Sequence, residues 1–499
     1  MTILITINQS IRQNRTQWLY FASGSILLLA SILRLWNLGS ESAWIDEAYS
    51  IELAKHSVVE ILKGTAADQH PPLYYLFLRL WLFFGSGVTY ARLLSVIIGV
   101  INVGQVLHFG KKSAGIAIGL LGGLLVAVSP MHVWYSQEIR MYILLVSLTT
   151  ASTTALWWAL RGNQTYRWIL YCLFSTLALY THYFAIFILL AQGIWVLIWV
   201  WKQRAIRSLW YWIGSMAGTG ILFLPWLPVA INQTRLHTMT WVDSPTLNVI
   251  RDTLLRLIFG IAVLPWPNLL LWIVTGILLA LFIWSIKNFL SISSENNRSC
   301  FYIANWAVVP FVSISIIALI YPLYQFKQYL IVLPPILLLA AWISYSLPRK
   351  AGIAAMIVLL ISATVSLTYQ QIYLTKDDWK GAANFIDHNS STGDIIFANP
   401  AASSLALSLY SEITIPFIGT PSDYDIITGG WEGDALTPKS VDNKMSQLNS
   451  DYQRLWLVEF FPEFWDENRI VESWLEGNSK LLEDLYFGRI RIRMYSFTN

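Results

Sequence analysis

The chain has 499 residues, a mean hydropathy of +0.52, 56% hydrophobic residues and only 12% charged ones. A soluble domain carries roughly twice that charged fraction, so a soluble globule is excluded, and the formal net charge of +4 gives no basic surface of the kind that nucleic acid demands. Two cysteines, Cys172 and Cys300, exclude a disulfide framework.

The apolar residues come in blocks of about twenty, enough to cross a hydrocarbon core of about 30 Å. The 25 tryptophans suit a membrane interface. The first block, Trp18 to Trp36, lacks a small-residue cleavage pattern and reads as a retained anchor. In chain order, spans are expected at 17–38, 90–109, 113–130, 141–160, 167–183, 184–201, 208–228, 268–288, 301–320, 329–347 and 352–371. That makes about eleven crossings, or thirteen if two ambiguous segments, His70 to Gly85 and Val249 to Trp266, also cross.

Basic residues decide the ambiguity. With 70–85 outside the count, Arg12 and Arg15, Lys111 and Lys112, Arg161 and Arg167, Lys202, Arg204 and Arg207, Lys287 and Arg298, and Arg349 and Lys350 fall on one side, which the positive-inside rule makes cytoplasmic. The segment 70–85 is therefore a juxtamembrane or re-entrant helix opened by Pro71-Pro72. The segment 249–266, with Arg251, Asp252 and Arg256, is interfacial. The N-terminus is then cytoplasmic. The loops around 41–57, 135–142, 229–267 and 321–329 lie on the outer side, as does everything after about residue 372.

From Trp44 to Gly64 the apolar positions Ile51, Ala54, Val58, Ile61 and Leu62 recur at helical spacing, with Glu52, Lys55 and Glu60 facing away. This predicts one amphipathic helix lying in the interface. The C-terminal part changes character. "GDIIFANP", "ITIPFIG", "RLWLVEF" and "RIRIRMYSF" are short β-type runs separated by the helical patterns "AASSLALSLY", "DNKMSQLN" and "NRIVESWLEG". The expected fold class is an α-helical polytopic membrane protein with a C-terminal extracytoplasmic α/β domain whose sheet is partly parallel. The expected domains are 1–375 and 376–499.

The residues able to do chemistry gather in the outer loops. Asp46 and Glu47 stand at the head of the interfacial helix, where acids are also stabilised by the helix dipole alone. Gln137, Glu138 and Arg140 sit where the chain re-enters the membrane. Charges there are costly unless they pair locally or serve a site. His70 precedes the Pro-Pro pair; a lone histidine is more often a surface or capping group. Lys327, with Gln328 and Tyr329, has the plain alternative of a lysine reaching for headgroups. Together they suit one reaction class. Cationic donors hold a lipid-linked phosphate as charge develops on it, and a carboxylate takes the proton of an acceptor hydroxyl.

The order of motifs resembles a known family. "DE" follows the first span, then come "HPPLYYLFLRLW", "ARLLSVIIGV", "SPMHVWYSQEIRMYILL" and "YTHYFAIF". This series is similar to the GT-C glycosyltransferases that use polyprenyl-phosphate sugars, a group that includes protein O-mannosyltransferases and aminoarabinose transferases of lipid A, and within it to the bacterial family 39/83-like set. The run "KDDWKGAANFIDHNSSTGDIIF" looks like the start of the outer domain of bacterial members. The resemblance implies a multi-pass enzyme of the plasma (inner) membrane that moves a hexosyl or pentosyl group from a polyprenyl-phosphate donor to a glycolipid, polysaccharide or protein hydroxyl. It implies Asp46 as the base, with Glu47 supporting the loop or meeting the acceptor. Arg140 would contact phosphate. Glu138, with Gln137 and Tyr329, would orient the acceptor or join a metal site, and whether a divalent ion is used stays open. His70 stands where some relatives carry a phosphate-binding lysine. Gln328-Tyr329 stands where relatives often read Arg-Tyr, so Lys327 is the candidate for the missing charge.

Two rival readings fit the sequence less well. A polytopic transporter or lipid flippase would show repeated halves and charges at mid-membrane depth, and neither is visible. A non-catalytic scaffold would not need polar residues gathered around the first outer loop.

Overall fold

Long apolar stretches in a bilayer satisfy their backbone polar groups by forming helices, and helices make up most of the computed structural model. It describes all residues except 1, 163, 237–244, 261–270, 274, 277–278, 281–282, 284–294, 322–323, 412–414, 421–424, 429–435 and 498–499. The chain divides into two compact units. One comprises residues 1–36 and 92–374, the other residues 37–91 and 375–499. The break near 375 lies beside the expected domain boundary. The assignment of 37–91 to the second unit has no counterpart in the sequence reading.

The membrane unit carries seven helices long and apolar enough to cross a bilayer among the described residues: Gln17–Leu35, Val88–Ser113, Tyr142–Leu160, Ala185–Gln203, Arg298–Ile320, Phe326–Ser346 and Arg349–Tyr373. Two bent pairs, Ile116–Val128 with Pro130–Ser136 and Ile206–Phe223 with Leu227–Thr234, bring the number to nine if each is one span. The protein is therefore a multi-pass membrane protein, with seven to nine of the eleven expected spans evident by length and composition among the described residues. The expected span 167–183 is the helix Thr165–Thr181, about 26 Å long and at the short limit for a crossing. The expected span 268–288 lies largely outside the described residues. Helix Leu247–Phe259, at 13 residues, is too short to cross.

The 59° bend at Ser129 has a local cause. Pro130 cannot donate to the preceding turn, and Ser129 caps the next helix by accepting from the His132 N–H. The exposed carbonyls at the end of the first half are taken by Arg34, whose side chain is wholly buried. Its guanidinium donates to Val126 O at 3.2 Å and Ala127 O at 3.0 Å, to Ala30 O at 2.9 Å and to Ser136 Oγ at 3.3 Å. It also donates to His132 Nδ1 at 2.8 Å. An arginine only donates, so His132 accepts there and carries its proton on Nε2, which donates to Asn102 Oδ1 at 2.9 Å. The helix dipole adds to this, because a cation at a helix C-terminus is favoured. Gly99 is required beside the knot, since a Cβ there would lie 2.3 Å from Ser136 Oγ. Arg34→Leu is expected to cost about 2–3 kcal/mol by leaving these acceptors unmatched, read as a lowered thermal midpoint in detergent. A midpoint within error of wild type would show that the bend does not need the arginine.

The second unit is built on a five-stranded sheet of order β2-β1-β3-β5-β4, with β1 Asp394–Asn399, β2 Phe417–Gly419, β3 Arg454–Glu459, β4 Ser479–Phe487 and β5 Ile490–Phe497. β2, β1 and β3 run parallel, and β5 and β4 are antiparallel additions. The partly parallel sheet matches the sequence reading. β4 escaped it, because this edge strand is mostly exposed on both faces and shows no alternation. Residues 413–414 of the expected "ITIPFIG" strand lie outside the described residues.

Strand alternation gives the sheet two cores. Ile395, Phe397, Leu455 and Leu457 pack on Val441, Met445 and Leu448 of helix Pro438–Asp451 and on Val471 and Leu475 of helix Ile470–Asn478. Ile396, Trp456 and Val458 pack on Trp379, Ala382 and Ile386 of helix Trp379–Asn389 and on Ala406 and Leu407 of helix Ser403–Ser408. Ile45 and Ala48 belong to this second core.

That membership corrects the expected interfacial helix. Residues 45–67 form two helices, Ile45–Lys55 and Val58–Ala67. The break is made by Ser57, whose side chain accepts from the Glu60 N–H while Glu60 accepts from the Ser57 N–H, a reciprocal cap. The first helix is buried on most sides rather than amphipathic. Helix Leu73–Leu82 is 10 residues long, too short to cross, as the basic residues require. It packs beside helix Ile45–Lys55, with the Tyr49 and Tyr75 rings 6.0 Å apart edge to face.

Candidate functional site

The first group of candidates belongs to the α/β unit. Trp44 precedes helix Ile45–Lys55 without a side-chain cap, and Asp46 and Glu47 occupy the first turn. Acids there stabilise the helix, but the two differ sharply in surroundings. Glu47 is fully buried, and its Oε2 lies 2.8 Å from Lys376 Nζ, itself only 10% exposed. Ala43 N donates to the Tyr410 hydroxyl at 2.5 Å, the Ser42 hydroxyl donates to Asp378 at 3.3 Å, and Lys380 N donates to Ser42 Oγ at 3.1 Å. Residues 42–48 are thus tied at several points to residues 376–410. Asp46 stays half-buried, with its backbone carbonyl accepting from Ser50 at 2.8 Å. His70 is half-buried, and its Nδ1 lies 3.2 Å from Asp68 Oδ2.

The second group belongs to the membrane unit. Gln137 donates through Nε2 to the carbonyls of Arg34 at 3.0 Å and Trp36 at 2.8 Å, so it anchors the loop to the end of the first span. Glu138 and Arg140 are both buried. Glu138 accepts from the Trp134 indole at 2.7 Å, an engagement four residues away that holds the loop. Tyr329 is wholly buried, and its hydroxyl lies 3.1 Å from Ser315 Oγ. Lys327 is half-buried and places its ammonium 5.2 Å from the Tyr142 ring centre.

Tyr142 is the hub of an aromatic cluster that sequence reasoning missed. Its ring lies 5.5 Å from Tyr135 and 6.1 Å from His182, and Tyr135 lies 6.4 Å from Phe326. Arg256 stands 5.7 Å from the Phe326 ring. Lys327 and Arg256 therefore meet the same cluster from two elements, at a distance where cation–π attraction operates. His182 Nδ1 accepts from Phe184 N at 3.1 Å. The signals for these residues were present as "YTHYF" and as the basic residues of helix Leu247–Phe259, but Arg256 marked only an interface in the sequence.

Among the described residues no group of three or more His, Cys, Asp or Glu is placed to hold a metal ion. Glu138 accepts from an indole and Glu47 is paired with Lys376.

ArnT from Cupriavidus metallidurans bound to undecaprenyl phosphate matches with a TM-score of 0.61 at 12% identity, over 96% of this chain and 98% of that one. The chain has the GT-C fold. The apo state of the same ArnT matches this GT-C chain with a TM-score of 0.62, also at 12% identity, over 97% of this chain and 98% of that one. The archaeal oligosaccharyltransferase AglB from Archaeoglobus fulgidus, in complex with an inhibitory peptide and a dolichol-phosphate, matches with a TM-score of 0.53 at 9% identity, over 94% of this chain and 73% of that one. The model of a family described as dolichyl-phosphate-mannose-protein mannosyltransferase matches residues 69–228 of the GT-C chain, a stretch that includes His70, Gln137, Glu138 and Arg140. No curated protein sequence gives a match.

Proposed function

We propose that this GT-C protein is a glycosyltransferase that moves a sugar from a polyprenyl-phosphate donor to an acceptor hydroxyl on the outer side of the membrane. The observation that carries the reading is the shared fold over nearly all of both chains with an ArnT that holds undecaprenyl phosphate. The reaction is one displacement with inversion. The acceptor oxygen forms a bond to the anomeric carbon as the bond from that carbon to the donor phosphate oxygen breaks. The acceptor proton goes to Asp46 as general base, and the polyprenyl phosphate leaves as a stable anion, so no strong general acid is needed.

The two acids of the pair take different roles in this proposal. Glu47 is committed to Lys376, whereas Asp46 keeps access to its surroundings, which favours Asp46 as the base. Arg140 and Lys327 hold the donor phosphate, with Arg256 added to them. Fixed cations aimed at a leaving phosphate stabilise the charge that develops there. His70, its Nδ1 3.2 Å from Asp68 Oδ2, is a further phosphate donor. Gln137, Glu138 and Tyr329 shape the loop that receives the acceptor.

The test is a transfer assay with the purified protein in nanodiscs and a panel of polyprenyl-phosphate hexoses and pentoses. Label moving from at least one donor to a glycolipid, polysaccharide or protein acceptor is the expected result, and Arg256→Gln should reduce that transfer about ten- to a hundredfold. Transport of an intact lipid-linked sugar across the bilayer, without transfer from any donor, would instead favour a flippase.

A further inference from the structure

Asn399 and Glu459 end the neighbouring parallel strands β1 and β3 and are register partners. The chain leaves these two strands toward opposite faces. Helix Ser403–Ser408 after β1 packs in the core of Trp379, and helix Ile470–Asn478 after β3 packs in the core of Leu455. Adjacent parallel strands whose following helices diverge define a switch point, and the crevice at their carboxyl ends is where open α/β sheets take ligands.

Alternation places Asn399 and Glu459 on the face of Phe397 and Leu457. Thr420 continues β2 on that same face, its N–H donating to Ala398 O at 3.1 Å and its carbonyl accepting from Ala401 at 3.0 Å. Thr420, Asn399 and Glu459 thus form a polar row across three strand ends, about 10 Å long at the usual strand spacing. All three residues are at least 99% buried. Yet Thr420 Oγ1, both amide atoms of Asn399 and Oε1 of Glu459 have no hydrogen-bond partner, nor has Ser403 Oγ on the helix beyond β1. Each such atom costs about 1–3 kcal/mol when nothing answers it.

The charges near the row balance, with Glu459, Glu472 and Asp484 met by Arg493, Arg491 and Arg469, the last lying 4.0 Å from Glu459 Oε1 and 3.3 Å from Glu472 Oε2. Glu459 Oε2 accepts from Arg493 Nη2 at 2.5 Å, Arg493 also binds Glu472, and Arg491 binds both Glu472 and Asp484. The ligand that fits is therefore uncharged, with groups that both donate and accept. Hydroxyls do this, and an amide that offers donor and acceptor side by side matches a vicinal pair of them. Lys444 reaches over the end of β2, its ammonium 2.6 Å from Gly419 O. Its flexible stem can turn to water and uncover the edge.

We propose that the carboxyl edge of β2, β1 and β3 is a binding site for a neutral saccharide of about two rings, read by Thr420, Asn399 and Glu459. The proposal does not depend on the transferase reading. Its test is saturation-transfer NMR on the full chain in nanodiscs, with maltose, lactose and cellobiose as probes. Asn399→Leu and Thr420→Val keep the buried volume, and removing an unanswered polar group is neutral or stabilising for the fold. Both variants should keep the wild-type melting temperature and weaken disaccharide binding about tenfold or more. Should Thr420→Val lose the fold, Thr420→Ala replaces it. No transfer from any disaccharide to the wild type would overturn the proposal. Binding left unchanged by the variants, or a trialanine peptide binding in place of the sugars, would do the same.

Discussion

Asp46→Asn is expected to lower sugar transfer about a hundred- to ten-thousandfold, the range by which a positioned general base accelerates a reaction, while leaving the protein folded. The substitution preserves shape, and the Ser50 hydroxyl bonds the backbone of residue 46 rather than its carboxylate. The half-buried helix start loses one first-turn acid, worth about 0.3–1 kcal/mol and at most about 2 kcal/mol, a small part of a typical stability. Rate and melting temperature should therefore separate, with transfer collapsing and the melting temperature barely moving. An Asn variant that turns over at near the wild-type rate would assign the proton to another group.

The second large effect is expected at Glu47 and Lys376. Glu47 has no exposed surface and Lys376 very little, so removing either partner leaves a buried charge with its principal counter-ion gone. Breaking such a pair costs about 3–5 kcal/mol. Glu47→Gln and Lys376→Met should each lower the melting temperature strongly, and the double variant should be less destabilised than the sum of the two. A coupling near zero in that cycle would show that the pair is incidental. Under the proposed reaction the single variants also lose turnover more than donor affinity, because they displace the base and leave the phosphate-holding cations untouched.

These two acids show how far the sequence could be read. Hydropathy and charge placed Asp46 and Glu47 next to a span and at the head of a helix, and both placements hold. Their difference was invisible, because the group that buries Glu47 lies 329 positions away. The break at Ser57 was legible, since Ser57 and Glu60 have the spacing of a reciprocal cap, but the apolar periodicity running across it gave the stronger signal. The bend at Ser129 and Pro130 could likewise have been read from the proline. Arg256 could not, because its place beside Phe326 depends on an approach between elements 70 positions apart. The strands of the C-terminal unit were found wherever one or both faces are buried. β4, exposed on both, had no pattern to find.

The α/β unit is discontinuous in sequence, and this has a consequence for how the protein is made. Ile45 and Ala48 emerge from the ribosome long before Trp379, Ala406 and Trp456, the partners they share a core with. Until those residues follow, the segment carrying the acid pair has the neighbouring helix Leu73–Leu82 to pack on but not its core on the sheet, and closing a loop of that length costs about 5 kcal/mol of chain entropy. The membrane helices are threaded into the bilayer during this wait. The acid pair is therefore set in place late in biosynthesis, so a nascent chain with its membrane spans already inserted still lacks an assembled Asp46 loop.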